Sequence, residues 1–552
     1  MRRLLLALLV LTALVATPVA PAQAQRSAGR VVSLVSNGNN GADDITAAHL
    51  KEYLYFIASD EMEGRDTPSR GLDLAAKFIA MNLALWGVKP AGENGTYFQP
   101  IRLRREQINA SLTRAELNGR PLNLGESFIP MPRGGSASAP MVYAGNGWVV
   151  KAKNINPYSG IDIKDKVVVI LGMGLPRGVF YNDLQNGKQG EDWIDPLTYA
   201  QKNGARAVIA IPQPKVASNW QQATAAAPKT SEWEVEKFQE EEGGQLTLPV
   251  ITASPDTVNL LFEGEQVAGA EMLKRKAENN PGNSFALNPQ KSMTINVVTS
   301  PETATTSNVI GVVEGSDATL KQEYVAIGSH YDHVGIGNPV NGDAIYNGAD
   351  DDGSGTVAML DMARAFASNQ RPRRSILFVW HTAEEKGLWG AKYFNMFPTV
   401  PTDKIVAQLN IDMIGRSKRP GDSNPANKDL NGPHEIYIVG SKMMSTELGE
   451  LSEQVNNSYL KLKFNYKYDD PRDPERLFYR SDHYYYALKG IPIIFYTDGP
   501  HEDYHKPSDT ADKIDYQLME KVTRTIYKTA WELAVRPNRP RVDKKLPPAS
   551  AG

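Results

Sequence analysis

The chain contains no cysteine in 552 residues. That absence excludes disulfides, thiolate metal ligands and a lipid-bearing cysteine. Any metal site must therefore be assembled from His, Asp and Glu, and stability must come from buried apolar surface, which a chain of this length can supply. Charge imbalance is missing too: a net charge of −3 gives no electrostatic footing for nucleic acid or an anionic membrane. There is no Walker loop, dinucleotide glycine pattern or internal repeat, and the Gly-rich "GIGNPVNG" follows the wrong residues for a phosphate cradle. Beyond the first residues, no apolar run is long enough to span a bilayer.

What is present starts at the N-terminus. Arg2 and Arg3 precede an apolar stretch over 4–16, and Ala22-Gln23-Ala24 forms an A-x-A pattern. Residues 1–24 read as a secretory signal peptide cut after Ala24, too short to remain as a membrane anchor. The length favours two or three domains. Residues 45–90 read as two helices with apolar residues at three-to-four spacing, joined at Gly64, Pro68 and Gly71. From about 140 to 290 runs a small α/β unit with no histidine. After Asn308 strands and helices alternate: "EYVAIGSHYDHV", "GTVAMLDMARAFAS", "RRSILFVWHTAEE", "AKYFNMF", "DKIVAQLNIDMIG". The expected fold is α/β, a mostly parallel central sheet with helices on both faces. Beyond about Asn538 the tail is expected to fray.

Functional residues in such sheets collect at the carboxyl ends of strands. There the sequence places His330, Asp350, Glu384 with Glu385, Asp412 and His505. Two imidazoles, several carboxylates and no sulfur suit zinc or another borderline divalent ion. Two ions about 3.5–4 Å apart need a bridging carboxylate plus roughly one His and one carboxylate each. This set supplies that count with one carboxylate left over, a natural base for the attacking water. The triplet Asp350-Asp351-Asp352 is costly unless cations relieve its repulsion.

The blocks "GSHYDHV", "NGADDDGSG", "HTAEEKGLWGAKYF", "LNIDMIGR" and "HEDYHKPSDT" resemble, in order and spacing, the signature blocks of metallopeptidase family twenty-eight. That family includes bacterial leucyl aminopeptidases, aminopeptidase Y and glutamate carboxypeptidase II. The stretch "IASDEMEGRDTPSRGLDLAAKFIA" resembles the start of the same zinc-exopeptidase-like domain, and the histidine-free unit resembles an inserted protease-associated domain. The resemblance implies the following boundaries: 25–135 for the N-terminal part of the peptidase domain, 136–295 for the insert, 296–540 for the metallopeptidase domain and 541–552 for a flexible tail. It implies two zinc ions, other divalent ions being possible. Asp350 would bridge them, with a cis peptide between Asp350 and Asp351. His330 and Asp412 would hold one ion, Glu385 and His505 the other. Glu384 would be the general base, Asp332 would orient His330, and Tyr479 would donate to the oxyanion.

Beside these, Asp351 and Asp352 read as loop-shaping residues, and His333, His381 and His483 as packing or supporting residues. His501 competes with His505, which the context "YHKPSDT" favours. Asp509 and Thr510 fit a helix start as well as a place beside the site. The implied function is an exported di-zinc aminopeptidase, periplasmic or secreted, acting on peptides, with no nucleic-acid partner and no anchor after signal cleavage. The alternative is a carboxypeptidase or dipeptidase of the glutamate carboxypeptidase type, for which "PRDPERLFYRSDH" and Arg416 offer arginines. A receptor-like binding protein would require loss of the ligands, and the single-zinc glutaminyl cyclases do not match the full set.

Overall fold

A computed structural model describes residues 40–185, 187–241, 248–470 and 473–546. The signal-peptide reading of 1–24 lies outside the described residues, as does the end of the tail. The first helices form where the apolar spacing placed them. α1 (Ala47–Ile57) is capped by Thr46, whose side chain accepts from His49 N, and buries Leu50, Leu54 and Ile57. α2 (Arg70–Leu85) is capped by Ser69 and buries Leu72, Ala75, Ile79 and Leu83. Between them lies a tight turn in which Glu63, Gly64 and Arg65 all have positive φ.

The principal sheet contains β1 (Phe98–Ile108), β2 (Thr299–Val313), β3 (Tyr324–His330), β4 (Ser375–His381), β5 (Ile405–Ile411), β6 (Glu435–Val439), β7 (Lys463–Asn465) and β8 (Ile493–Thr497). Their order is β1-β2-β4-β3-β5-β8-β6-β7. The four strands at its centre, β4, β3, β5 and β8, are parallel. Antiparallel neighbours flank them, β2 against β4 and β6 against β8, so the sheet as a whole is mixed. Side chains alternate between two cores, as strand geometry requires. Val325 and Ile327 face one helical layer, and Ala326 faces the other. Among the helices, α3 (Gly355–Ser368), α5 (Thr446–Ser458) and α6 (Tyr516–Val535) join α1 and α2 on the first face, and α4 (Trp389–Met396) lies on the second. Burial on both faces explains why "SILFVWH" in β4 is apolar without alternation.

This topology sets the site. Strand β3 is followed by α3 and β4 on one side, after which the chain crosses back to place β5 on the other side of β3. The carboxyl ends of β3, β4, β5 and β8 therefore converge at a topological switch point.

A second sheet is built from Gly135–Tyr143, Val167–Ile170, Ala207–Ala210, Val250–Ala253 and Ser292–Val297, and also from Arg114–Leu117, Arg120–Leu122 and Phe128–Pro130. These last three strands fall within 25–135, so the boundary expected at 136 lies inside this sheet. The long β1–β2 ladder ends at Ile108 and Thr299, and the second sheet is drawn from the chain between them, which also returns Glu234–Val235 to pair with β1. Local pattern could not reveal this, because Arg114–Leu117 and Phe128–Pro130 find partners at 293–296 and 251–253. The tail also differs from expectation up to Leu546. Asp543 N and Lys544 N donate to Met444 O, Asp543 Oδ1 accepts from Thr446 N, and Leu546 packs on the core. Partners at the start of α5 hold a segment whose composition alone reads as loose.

Candidate metal centre

Each Asp of the triplet serves a different end. Asp352 is fully buried; its Oδ2 accepts from His330 N at 3.2 Å, and its Oδ1 accepts from Met413 N at 3.1 Å and Gly355 N at 3.0 Å. One carboxylate thus ties together the end of β3, the end of β5 and the first turn of α3. Asp350 turns elsewhere, with Oδ1 accepting from Gly415 N at 2.7 Å and Oδ2 lying 3.2 Å from His501 Nε2. Asp351 alone sits between two groups of ligand-type side chains. Its Oδ1 is 3.3 Å from His330 Nε2 and its Oδ2 is 3.1 Å from His505 Nε2.

The place between the two groups expected for Asp350 is therefore taken by Asp351, and the cis peptide lies between Asp351 and Asp352. A one-residue slip in an acidic triplet reverses which side chain points inward. Composition cannot detect it, because all three residues are identical.

Around Asp351 the remaining groups fall into two sets. On one side His330 Nε2 lies 3.6 Å from Asp412 Oδ1 and 3.9 Å from Glu384 Oε2. On the other, His505 Nε2 lies 3.1 Å from Glu385 Oε2, and His333 Nδ1 lies 2.9 Å from Glu385 Oε1. The fit to cations is tested by what these atoms lack. His330 Nε2, His333 Nε2 and His505 Nε2 have no hydrogen-bond partner although buried. Orphaned imidazole nitrogens aimed at crowded carboxylates are the donor set a divalent ion completes. The His333–Asp351–Glu385–His505 group has four potential donors within reach of one ion, and His330, Asp352 and Asp412 form a second group of three, with Asp351 Oδ1 3.3 Å from His330 Nε2.

Backbone conformation at the strand ends is unusual. Ala383 before Glu384, Met413 after Asp412, and His505 itself all have positive φ, at 56°, 63° and 52°. Such conformations cost free energy for residues with a Cβ and persist where the surroundings impose them. Asp332 steadies the two glutamates, its Oδ1 accepting from Glu384 N at 3.1 Å and its Oδ2 from Glu385 N at 3.3 Å. The same residue faces His330 Nδ1, with its carbonyl at 3.2 Å and its carboxylate at 3.6 Å.

Electrostatics separate the two glutamates. Burial pushes the Glu384 carboxyl well above its ordinary value, against His330, with Asp412, Glu385 and Asp482 adding to the rise. Burial and Asp351 also push Glu385 upward, but His333 and His505 outweigh them and hold it below its ordinary value. The two carboxyls thus differ in surroundings: Glu385 faces the imidazoles of His333 and His505, and Glu384 lies 3.9 Å from His330 Nε2.

Tyr479 packs edge-on against Phe478 and Tyr484, away from the pocket lining, so the structure does not bring it to this centre. The opening beside Asp351, Glu384 and Asp412 is lined instead by Arg480 and Tyr504, with Met413, Leu477 and Phe495 as apolar walls. The Tyr504 ring stacks on His505 at 4.0 Å. Burial, reinforced by Asp351 and Glu385, raises its phenol so that it stays a donor. The sequence reading missed the placement of Asp351 and the part of Tyr504, whereas His333 was expected as a supporting residue and Arg480 lies in the "PRDPERLFYRSDH" stretch offered for carboxylate binding. The missed signal was faint: a tyrosine next to the favoured histidine. Arg416, named as a carboxylate binder, is buried and donates to Asp503 Oδ2 at 2.9 Å.

Comparison with known proteins adds an independent finding. Residues 308–530 match the sequence model described as Peptidase family M28. Leucine aminopeptidase 2 of Arthroderma otae is 28% identical over 290 residues, covering 48% of this chain and 52% of that protein. A probable zinc metalloprotease of Pyrenophora tritici-repentis is 26% identical over 272 residues, 44% of this chain and 54% of that protein. The chain thus spans about half the length of these relatives. Among solved structures, the aminopeptidase from Aneurinibacillus sp. strain AM-1 superposes with a TM-score of 0.49 at 17% identity, over 92% of this chain and 98% of that one. A zinc aminopeptidase from Bacillus subtilis gives 0.47 at 16% identity, over 91% and 98%.

Proposed function

Residues 308–530 belong to peptidase family M28, and on that premise we propose that the chain is an exported exopeptidase that uses two zinc ions to release N-terminal residues from peptides. The observation that carries this reading is Asp351, whose two oxygens face imidazoles of separate ligand groups. His330 and Asp412 would hold one ion with Asp351, and Glu385 and His505 the other, with His333 orienting Glu385. When bound, the ions supply Lewis acidity to the attacking water and the scissile carbonyl.

The protein's own groups do the rest. Glu384 takes a proton from the attacking water and returns it to the leaving amine, a task suited to a carboxyl whose proton affinity burial has raised. Asp332 holds Glu384 and Glu385 in register through their backbone N–H groups. Tyr504 donates to the oxygen on which negative charge develops. The carboxylates around the opening favour recognition of a free amine over a free carboxylate. Arg480 at the same opening favours a second reading, a dipeptidase that grips a substrate's C-terminal carboxylate.

The leader pattern at 1–24 supports export, and no helix among the described residues is long and apolar enough to cross a membrane. The unit at 109–298 fits a protease-associated insert. Aminoacyl-anilides and N-blocked dipeptides, assayed with and without a chelator, test the reading. Chelator-sensitive cleavage of the anilides supports it, and cleavage confined to the blocked dipeptides transfers the assignment to the second reading. Turnover of neither would remove both.

A further inference from the structure

Arg65 is fully buried, yet no hydrogen bond from its guanidinium to a carboxylate is present among the described contacts. Its donors go to four main-chain carbonyls instead. Nε donates to Tyr331 O at 2.9 Å, Nη1 to Ile57 O at 2.8 Å and Asn347 O at 2.7 Å, and Nη2 to Gly348 O at 2.8 Å. Tyr331 follows the metal-facing His330, and Asn347 and Gly348 open the loop that presents Asp351. One rigid fork therefore joins the roots of both ligand loops, a span that a lysine's single ammonium does not reproduce.

The surrounding turn reinforces the connection. Arg65 O accepts from His333 N at 3.1 Å, and Asn347 Nδ2 donates to Ala58 O at 3.1 Å and Asp60 Oδ1 at 2.9 Å. Lys386, next to Glu385, pairs with Asp66 at 2.7 Å. Gly64 is required by close approach: a Cβ there would come within 2.5 Å of Tyr346 O and 2.6 Å of Gly335 O. A buried guanidinium without an ionic partner in contact is costly. Burial lowers its pKa here, opposed by Asp332, Asp351, Asp509 and Asp352.

We propose that Arg65 is a positioning residue of the metal centre, pinning the loops that carry His330, His333 and Asp351 so that the ligands keep their geometry before ions bind. It follows that the segment 57–66, which lies outside the matched region 308–530, is part of the functional unit. This inference rests on the two-ion reading, and its test separates the two. Full-length wild type, Arg65→Lys and Gly64→Ala are titrated with zinc against a chromophoric chelator, and hydrogen exchange is followed in the chelated proteins. Arg65→Lys keeps the charge but loses the fork, and should bind zinc about 10–100-fold more weakly, the range seen when a ligand's supporting partner is lost. Exchange should accelerate at 330–333 and 346–353 while the strands at 167–170 and 207–210 stay protected. Gly64→Ala retains the guanidinium but displaces the turn, and should show the same pattern if Arg65→Lys yields no folded protein. Unchanged zinc affinity, or exchange rising equally in both sheets, would overturn the proposal. A wild-type chain that binds no zinc would overturn the two-ion reading, and exchange at the two loops would still decide the role of Arg65.

Discussion

The molecule contains two runs of four parallel strands, and they differ in what stands at their carboxyl ends. In the principal sheet β3, β4, β5 and β8 lead into His330, Glu384 and Glu385, Asp412, and the stretch holding His501 and His505. In the second sheet the strands ending at Tyr143, Ile170, Ala210 and Ala253 lead into Ala-Gly-Asn, Leu-Gly, Ile-Pro-Gln and Ser-Pro. Among the described residues of 109–298 few charged side chains are buried; Lys276 is one, and burial lowers its pKa. Parallel topology offers a place where loops converge in both halves. Only where that place receives donors that cannot be satisfied by one another does it become a centre for chemistry.

The comparison can be broken most sharply at Asp351. Asp351→Asn should lose zinc from both positions and with it all turnover, whereas the neighbouring Asp350→Asn should retain both ions; metal analysis of the two purified variants decides. Equal zinc loss in both would return the bridge to Asp350 or divide it. Next in size, Glu384→Gln should keep its zinc and lose roughly 10²–10⁴-fold in kcat, the usual worth of a positioned proton-transfer group. Wild-type turnover in that variant would leave the proton transfer to another residue.

Chelation should act on one sheet only. Each of the two ions, supplied at a hundred times its dissociation constant, stabilises the fold by about 2.7 kcal/mol. Their removal should lower the unfolding temperature and speed hydrogen exchange around 330–333, 382–386 and 411–416, leaving the second sheet unaffected. A uniform response would mean the halves unfold as one.

A smaller effect separates histidines within the principal sheet. Burial lowers His483 to about 4, while its Nε2 lies 2.8 Å from Phe478 O. The unfolded chain, with an ordinary value of about 6.5, binds the extra proton between these limits, so stability should fall as pH drops from 6.5 to 4. The full loss would be roughly 3 kcal/mol, and His483→Asn should flatten that part of a melting-temperature profile. Smallest of all, Lys276→Met should leave turnover unchanged and raise the melting temperature slightly, because a buried amine with no carboxylate partner among the described residues is replaced by an apolar isostere.

Much of this was legible in the sequence because the signals are local. Amphipathic spacing located α1 and α2 and buried runs located the central strands. The absence of sulfur restricted the donors, and strand-end placement selected His330, Glu384, Glu385, Asp412 and His505 for the centre where the structure brings them together. The choice among Asp350, Asp351 and Asp352 was not legible, since identical side chains are told apart only by the backbone that aims them. Nor was the reach of Arg65, three of whose four carbonyl partners lie more than 260 residues further along the chain. The limits of the second sheet escaped for the same reason, Arg114–Leu117 and Phe128–Pro130 being paired with strands distant in sequence.

By itself, then, the sequence determined the class of fold, the kind of donor atoms and the neighbourhood in which they meet, because periodicity and residue chemistry are properties of short segments. Tertiary structure decided which carboxylate faces inward, which tyrosine reaches the opening and which distant arginine supports the loops. Those outcomes depend on directions and distances that exist only once remote segments have packed together.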